Sequence, residues 1–272
     1  MTEDIVLLSD SVTYGALALL EDSSGVSDLT SNQAMGVAGN YFLLRRRIAS
    51  GAPLKQVVYI IHPRSYVIDH KQFPDLNESY FTTVFDAEDE IQDVETLLGR
   101  PDLAQQMIDS RDSRAAGIPS QNRRGVVQEP LILALRGLKV RLRGDFVQPG
   151  AQDRIREYAE IRSFTLSEPS RIFMDRMIQL TQQHNIRLKL FPPPLPQTVL
   201  NTWKSSGYWE QYIGYMNRLA VRWPHVEFTE DTGFQATKDQ HFTDGLHLTA
   251  TVRRQWGRHV FELITRSSSF AH

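Results

Sequence analysis

The 272-residue chain has no cysteine, and this absence excludes disulfide bridges, a cysteine nucleophile and any thiolate metal site. It also has no excess of charge of one sign, since 30 basic residues stand against 32 acidic ones and the net charge is −2. This balance gives no field that would attract a polyanion, so we expect no nucleic-acid partner. A glycine-rich phosphate loop is missing too, which disfavours a flavodoxin-like phosphate binder.

Long apolar runs are also missing from the sequence. None approaches the ~20 residues that a membrane-spanning helix requires, and no signal peptide is visible. We therefore expect no transmembrane segment in this chain. The localisation stays open, because a cytoplasmic protein and an exported or periplasmic domain lacking its anchor both fit the sequence.

The composition that remains is that of a globular protein, with 41% hydrophobic and 23% charged residues. Four short apolar runs rich in β-forming residues are typical of strands covered on both faces. They occupy residues 5–8, 57–61, 186–191 and 226–228. A helical pattern at 38–50 separates the first two runs. This order predicts an α/β fold, a three-layer sandwich with a mostly parallel sheet and helices on both faces.

Residues 74–165 show helical patterns but no convincing strand. We predict that they form a helical insertion or lid on a single domain spanning residues 1–272. Regular alternation resumes after this insertion. The remaining predicted helices occupy residues 88–98, 128–142 and 151–162 within the insertion, and 168–184, 208–223 and 249–264 after it.

Ser11 is the first candidate for chemistry, because it directly follows the first predicted strand. Open α/β sheets bind their ligands beyond the carboxyl ends of the strands, and a serine at such a turn presents its hydroxyl to solvent. The backbone N–H groups that follow it can stabilise a developing oxyanion. The simpler interpretation is that Ser11 caps the next helix.

Asp244 and His247 are the second candidate, three residues apart and just before the last predicted helix. A neutral imidazole beside a hydroxyl can take its proton, and a carboxylate on the other ring nitrogen fixes the tautomer. One turn can direct both side chains into a common cleft. A capping or surface arrangement explains the same spacing and stays open as an alternative.

Together these segments resemble the SGNH/GDSL hydrolase superfamily. Residues 9–15, SDSVTYG, are similar to its first block, Gly-Asp-Ser-x-Thr-x-Gly, with serine in place of the opening glycine. Residues 244–247, DGLH, are similar to its last block, Asp-x-x-His. The resemblance implies that Ser11 is the nucleophile, that His247 is the general base and acid, and that Asp244 orients His247.

The oxyanion hole is where the sequence departs from that family. The resemblance implies donors from Ser11 and from a second block, whose nearest matches here are Asn32 and the backbone at Gly36. A third block should supply an asparagine after the second predicted strand, but residues 62–66 read HPRSY. Loss of one oxyanion donor typically costs ~10²–10³ in rate. Either another donor compensates or the activity is low.

Residues 43–46, 51–58 and 191–194 show a more distant similarity, in general sequence character and without a diagnostic motif. It resembles the SGNH-like carbohydrate O-acylation proteins related to DltD and to AlgJ/AlgX. This resemblance implies transfer of a small acyl group, which we expect to be acetyl, to or from an acylated carbohydrate or polysaccharide. It also implies a membrane-bound acyltransferase as a partner.

Other residues have simpler explanations beside a functional one. Arg64 and His241 are candidate substrate-binding residues, although a surface arginine and a turn histidine are more common. His62, His241 and His247 with Asp244 could be argued as a metal site, but a catalytic zinc needs three ligands that converge in space, and we predict no metal and no cofactor. The dense aromatic residues between 203 and 215 indicate either a sugar-stacking wall or ordinary core packing.

The sequence therefore predicts a serine-dependent acyl-ester hydrolase or O-acyltransferase that uses Ser11, His247 and Asp244. The competing hypothesis is a degenerate SGNH-fold module that binds a polysaccharide or a membrane acyltransferase without catalysis. The missing third-block asparagine favours the second hypothesis, and the presence of all three triad residues favours the first.

Overall fold

A computed structural model of the chain describes residues 4–10, 25–29, 36–67, 93, 147–230 and 236–266. Its centre is a five-stranded sheet in which every neighbouring pair is parallel. The strands are β1 (Ile5–Ser9), β2 (Val26–Asp28), β3 (Gln56–Ile60), β4 (Arg187–Phe191) and β6 (Val226–Phe228). They lie in the order β2-β1-β3-β4-β6, the doubly wound arrangement whose direction of winding reverses between β1 and β3. The predicted three-layer α/β fold with a mostly parallel sheet is confirmed.

The strands form because their apolar residues supply both faces of the sheet. Side chains of successive strand residues point to opposite faces. In β1, Val6 and Leu8 accordingly join the larger of two apolar clusters, whereas Leu7 joins the smaller one. In β3, Val57 and Val58 divide in the same way. A continuous apolar run is therefore what a doubly covered strand requires.

Helices cover the two faces unequally. The face with the larger cluster is covered by α1 (Gly36–Ala49), α4 (Glu168–Gln183), α5 (Gln197–Ser206) and α6 (Tyr208–Arg222). Phe42 of α1 and Phe173 of α4 lie with ring centroids 5.4 Å apart there. The opposite face is covered by α7 (Ala250–Arg266), which contributes Val252, Trp256, Val260 and Ile264.

Several short elements were not predicted from the sequence. They are β2, α2 (Pro63–Val67), α5 and a second, two-stranded parallel sheet of β5 (Leu195–Pro196) and β7 (Ala236–Thr237). A single 3₁₀ turn, Asp239–His241, follows β7. Strand β5 begins soon after the end of β4, so it lies near the carboxyl ends of the main strands. Because β7 pairs with β5, the segment that follows β7 and leads to residue 241 is held near the same ends.

The predicted insertion at 74–165 is described only at Asp93 and from residue 147 onward. Its described part forms α3 (Ala151–Ala159), three residues shorter than the predicted helix at 151–162. Ile155, Ala159 and Phe164 are buried in the larger cluster, so this part belongs to the main core. The predicted helices at 88–98 and 128–142 lie outside the described residues, apart from Asp93. No helix in the described part of the chain is long and apolar enough to cross a bilayer.

The aromatic residues between 203 and 215 lie mostly in the interior. Trp203, Tyr208, Trp209 and Tyr212 are buried, and Tyr215 packs against them from a partly buried position. Trp203 and Tyr208 have ring centroids 4.3 Å apart. Of the two interpretations of these residues, core packing is the one that the structure supports.

Candidate active site

A closed turn immediately before α7 holds Asp244 and His247. Phe242 and Leu248 form an antiparallel bridge across its base, and both side chains are fully buried. Inside the bridge the Thr243 N–H donates to the His247 carbonyl at 2.7 Å, and the Thr243 hydroxyl donates to the same oxygen at 3.0 Å. The buried anchors and these hydrogen bonds give the turn a defined shape.

The Asp244 carboxylate is the centre of this turn. Its Oδ1 accepts the backbone N–H groups of Leu246 and His247 at 3.1 and 2.9 Å, and its Oδ2 lies 2.7 Å from Nδ1 of His247. Burial alone would raise the pKa of Asp244, but the hydrogen bonds and charge of His247, with the two backbone donors, outweigh it and lower the pKa well below the ordinary value. The carboxylate therefore stays ionised and orients the imidazole through Nδ1.

The remaining nitrogen of His247, Nε2, makes no hydrogen bond with any described residue. The His247 side chain is 28% exposed and that of Asp244 is 17% exposed, so the imidazole reaches solvent while its partner is more protected. A neutral imidazole with an ionised carboxylate on Nδ1 carries its lone pair on Nε2. The pair can thus accept a proton at Nε2 and later return it.

Gly245 lets the turn lie directly on the first turn of α3. It has a φ of +87°, and a Cβ at this position would lie 2.8 Å from the Ala151 carbonyl oxygen and 3.2 Å from the Ile155 nitrogen. Only glycine tolerates both this backbone conformation and this approach. The backbone N–H of Gln148 also donates to the Thr243 carbonyl, which fixes the segment before α3 to the same turn.

Asp10 and His62 meet at the carboxyl ends of β1 and β3, where the winding of the sheet reverses. Asp10 is 3% exposed, and its Oδ2 accepts the His62 N–H at 3.0 Å and the Ser65 hydroxyl at 3.2 Å. The carboxylate thereby satisfies donors at the start of α2. It fixes the turn that follows β3 to the end of β1, one residue before Ser11 in the sequence.

His62 lies in an aromatic environment at this point. The imidazole is 5.6 Å, centroid to centroid, from the Trp203 ring and 6.4 Å from the Tyr158 ring, and the residue is 3% exposed. Burial, with smaller contributions from the charges of Arg64 and His247, lowers the pKa of His62 to about 3. Its Nδ1 accepts the Arg64 N–H at 3.2 Å. His62 is therefore neutral near pH 7 and carries its proton on Nε2.

The predicted catalytic and oxyanion-hole residues fall into three groups. The structure brings Asp244 and His247 together, whereas Ser11 and Asn32 lie outside the described residues. Gly36 is buried at the start of α1 with a φ of +57°, and none of its described hydrogen bonds reaches Asp244 or His247.

The two candidate substrate-binding residues lie at the same edge of the sheet as the Asp244 turn. The Arg64 guanidinium stacks over the Tyr158 ring at 4.6 Å from its centroid, beside His62. His241 belongs to the 3₁₀ turn, and its carbonyl accepts the Thr249 N–H at 2.8 Å. The described contacts of His241 thus close the base of the Asp244 turn.

Sequence reasoning did not assign roles to Asp10, His62 and Gly245. The signals were present, since Asp10 and Gly245 lie inside the two motifs and His62 occupies the position where an asparagine was expected. Their contacts join residues far apart in the chain, however, and only the fold reveals them.

Among the described residues, no group of three or more His, Cys, Asp and Glu side chains is arranged to hold a metal ion. Comparison of the chain with protein-family models, curated proteins and solved structures found no match.

Proposed function

We propose that the protein is a serine-dependent acyl-ester hydrolase or O-acyltransferase of SGNH type. The observation that carries the proposal is the Asp244–His247 pair, joined at 2.7 Å through Nδ1 and partly open to solvent at the carboxyl edge of a parallel sheet. Ligands of open α/β sheets bind at this edge. Ser11 follows Asp10 in the sequence, and Asp10 is fixed to the turn after β3 at the same edge.

In the proposed reaction the oxygen of Ser11 forms a bond to the carbonyl carbon of an ester. The serine proton passes to Nε2 of His247, and the carbonyl electron pair moves onto the oxygen. The tetrahedral adduct then collapses, its bond to the leaving alcohol breaks, and the alcohol oxygen takes the proton from Nε2. Ser11 is left acylated.

The second half of the reaction repeats these steps with a different nucleophile. Water or a carbohydrate hydroxyl gives its proton to Nε2 and attacks the acyl carbon, and the proton returns to Ser11 as the serine leaves. Attack by water makes the protein an esterase, and attack by a sugar hydroxyl makes it an O-acyltransferase. The proposed acyl group is acetyl and the proposed substrate is an acylated carbohydrate or polysaccharide, both from the family resemblance of the sequence.

The test is a pre-steady-state assay with p-nitrophenyl acetate, comparing the wild type with Ser11→Ala. We expect a burst of p-nitrophenolate that Ser11→Ala abolishes, together with a mass increase of one acetyl group on Ser11. Ser23→Ala is the matched control, because Ser23 follows no predicted strand and precedes no triad motif, and it should keep the burst.

The outcome against the proposal is an equal rate for the wild type and Ser11→Ala, with no acetyl group on Ser11. It would shift the interpretation to a binding module that recognises a polysaccharide or a membrane acyltransferase partner. The expected third-block asparagine is absent from residues 62–66, and this absence is the observation that favours that second candidate.

A further inference from the structure

The position that lacks an asparagine holds a different hydrogen-bond donor. His62 is the second residue after the end of β3. Strand β3 lies next to β1, the strand that Ser11 follows in the sequence. Its backbone N–H is fixed to Asp10 at the end of β1, at 3.0 Å. The backbone of this residue is thus tied to the residue that immediately precedes the proposed nucleophile.

The hydrogen bond from the Arg64 N–H determines the tautomer of His62. A backbone N–H can only donate, so Nδ1 must accept, and in a neutral imidazole the proton is then on Nε2. The imidazole lies among groups of α2, α3 and α5, in a T-shaped arrangement with the Trp203 ring at 5.6 Å and tilted against the Tyr158 ring at 6.4 Å, centroid to centroid. His62 is 3% exposed, and its Nε2 makes no hydrogen bond with any described residue.

Helix α3 links this imidazole to the Asp244–His247 turn. The first turn of α3 contacts Gly245, and Tyr158, further along the same helix, packs against His62. The charge of His247 also makes a small contribution to lowering the pKa of His62.

We propose that Nε2–H of His62 is an oxyanion donor, taking the place of the asparagine amide that is missing after β3. The inference rests on the proposed function, because it assigns a role to His62 in stabilising the tetrahedral adduct on Ser11. A neutral imidazole can donate to an oxygen that becomes negative, and it does so without losing its proton. Oxyanion donors act in buried sites where little water competes, and the burial of His62 provides such a site.

The test compares His62→Gln with His62→Met in the same acetyl-ester burst assay. The two side chains have nearly the same length and shape, but only glutamine places an N–H near the position of Nε2. We expect His62→Met to lower the acylation rate by ~10²–10³ and His62→Gln to recover at least about tenfold of that loss, with KM little changed in both. His225→Gln is the control, since His225 precedes β6 at the opposite edge of the sheet, and it should acylate at the wild-type rate.

The outcomes separate this inference from the proposed function. A wild-type burst that depends on Ser11, with equal rates for His62→Gln and His62→Met, would overturn the role of His62 alone. No Ser11-dependent burst in the wild type would overturn the proposed function and this inference with it.

A measurement on the wild type keeps the inference testable if the variants do not fold. In protein labelled with ¹⁵N-histidine, the His62 Nε2–H is identified by its through-space contacts with the Trp203 ring, whose centroid lies 5.6 Å from that of the imidazole. Phosphonylation of Ser11 by an activated phosphonate mimics the tetrahedral adduct and its oxyanion. We expect that proton to move downfield on phosphonylation, and an unchanged signal would contradict the inference.

Discussion

Two turns at the carboxyl edge of the sheet each carry a histidine, and they differ in burial and in the groups that contact the ring. The turn after β3 that contains His62 is called the buried turn below. Its His62 is 3% exposed, packs against aromatic rings and accepts a backbone N–H on Nδ1. The turn before α7, residues 242–248, is called the exposed turn below. Its His247 side chain is 28% exposed, and Nδ1 of His247 faces the Asp244 carboxylate. The same side chain type is thus given two different hydrogen-bonding patterns.

Each imidazole is suited to a different role. A backbone donor on Nδ1 leaves a proton on Nε2, so His62 can only donate there, whereas a carboxylate on Nδ1 leaves a lone pair on Nε2, so His247 can accept. Burial also keeps His62 neutral, because a buried imidazole loses the hydration of its charged form. Asp244 instead stays ionised beside Nδ1 of His247.

Removal of the carboxylate from the exposed turn should slow the proposed reaction more than any other change. We expect Asp244→Asn to lower the Ser11-dependent acylation rate by ~10³–10⁴, because the amide neither fixes the tautomer nor stabilises the imidazolium. Asp239→Asn is the matched control, since the Asp239 carboxylate lies in the preceding 3₁₀ turn and accepts the Thr198 N–H at 3.1 Å, at the start of α5. Comparable losses in both variants would argue that the two carboxylates matter only for folding.

The second prediction concerns the contact of the exposed turn with α3. Gly245→Ala and Gly207→Ala both place a Cβ at a positive φ, which costs ~1–2 kcal/mol in each. A Cβ at Gly207 meets nothing closer than 3.9 Å, whereas one at Gly245 would lie 2.8 Å from a backbone oxygen. We expect Gly245→Ala to lose a further ~1–3 kcal/mol of unfolding free energy.

Chemical denaturation of the two glycine variants measures the difference, and the burst assay shows its effect on the site. Gly245→Ala should also slow acylation, because the turn that carries Asp244 and His247 must move away from α3. Gly207→Ala should acylate normally. Equal unfolding free energies for the two variants would mean that the turn shifts at no cost.

The contrast between the two turns also explains which of them the sequence revealed. The Asp244–His247 contact joins residues three apart, so their spacing was enough to predict that both could enter one cleft. The Asp10–His62 contact joins residues 52 apart and depends on the parallel register in which Ser9 lies beside Ile60. The local sequence pattern around His62 does not indicate which strand lies next to β3.

The same distinction applies to the fold. The strands β1, β3 and β4 were predictable because burial on both faces requires an unbroken apolar run. The strand β2 has only three residues, Val26–Asp28, and two of them are polar, so no run marks it. Helix α5 was not predicted, although its buried apolar residues Val199, Leu200 and Trp203 have helical spacing.

A third prediction uses the pKa of His62 in the buried turn. The pKa is about 3 in the folded protein and near 6.5 when unfolded, so between these values the unfolded chain binds more protons and stability rises with pH. We expect the unfolding free energy of the wild type, relative to His62→Gln, to fall as pH decreases below 6.5, by up to ~1.4 kcal/mol per pH unit. Subtracting the variant cancels the acid sensitivity of Asp244.

The groups that face His62 from its neighbours are Asp10 of the β1 end, Arg64 of α2, Tyr158 of α3 and His247 of the exposed turn. All of them are retained in His62→Gln, so a pH-dependent difference reports on the imidazole itself. Urea denaturation from pH ~4 to ~8 provides the measurement. A difference that is constant over this range would show that His62 titrates alike in the folded and unfolded chain, and would remove the contrast with His247.

The weakest effect is expected where the hydrogen bond from the Ser65 hydroxyl to Asp10 is removed from the buried turn. Ser65→Ala removes the hydroxyl that donates to Oδ2 at 3.2 Å and leaves the His62 N–H bond in place. We expect a loss of ~1 kcal/mol in unfolding free energy, the usual value for one hydrogen bond, and an unchanged acylation rate. Because His62 keeps its own bond to Asp10, a large fall in acylation would show that the position of α2 also sets the position of the imidazole. In that case the buried turn would depend on Asp10 as closely as the exposed turn depends on Asp244.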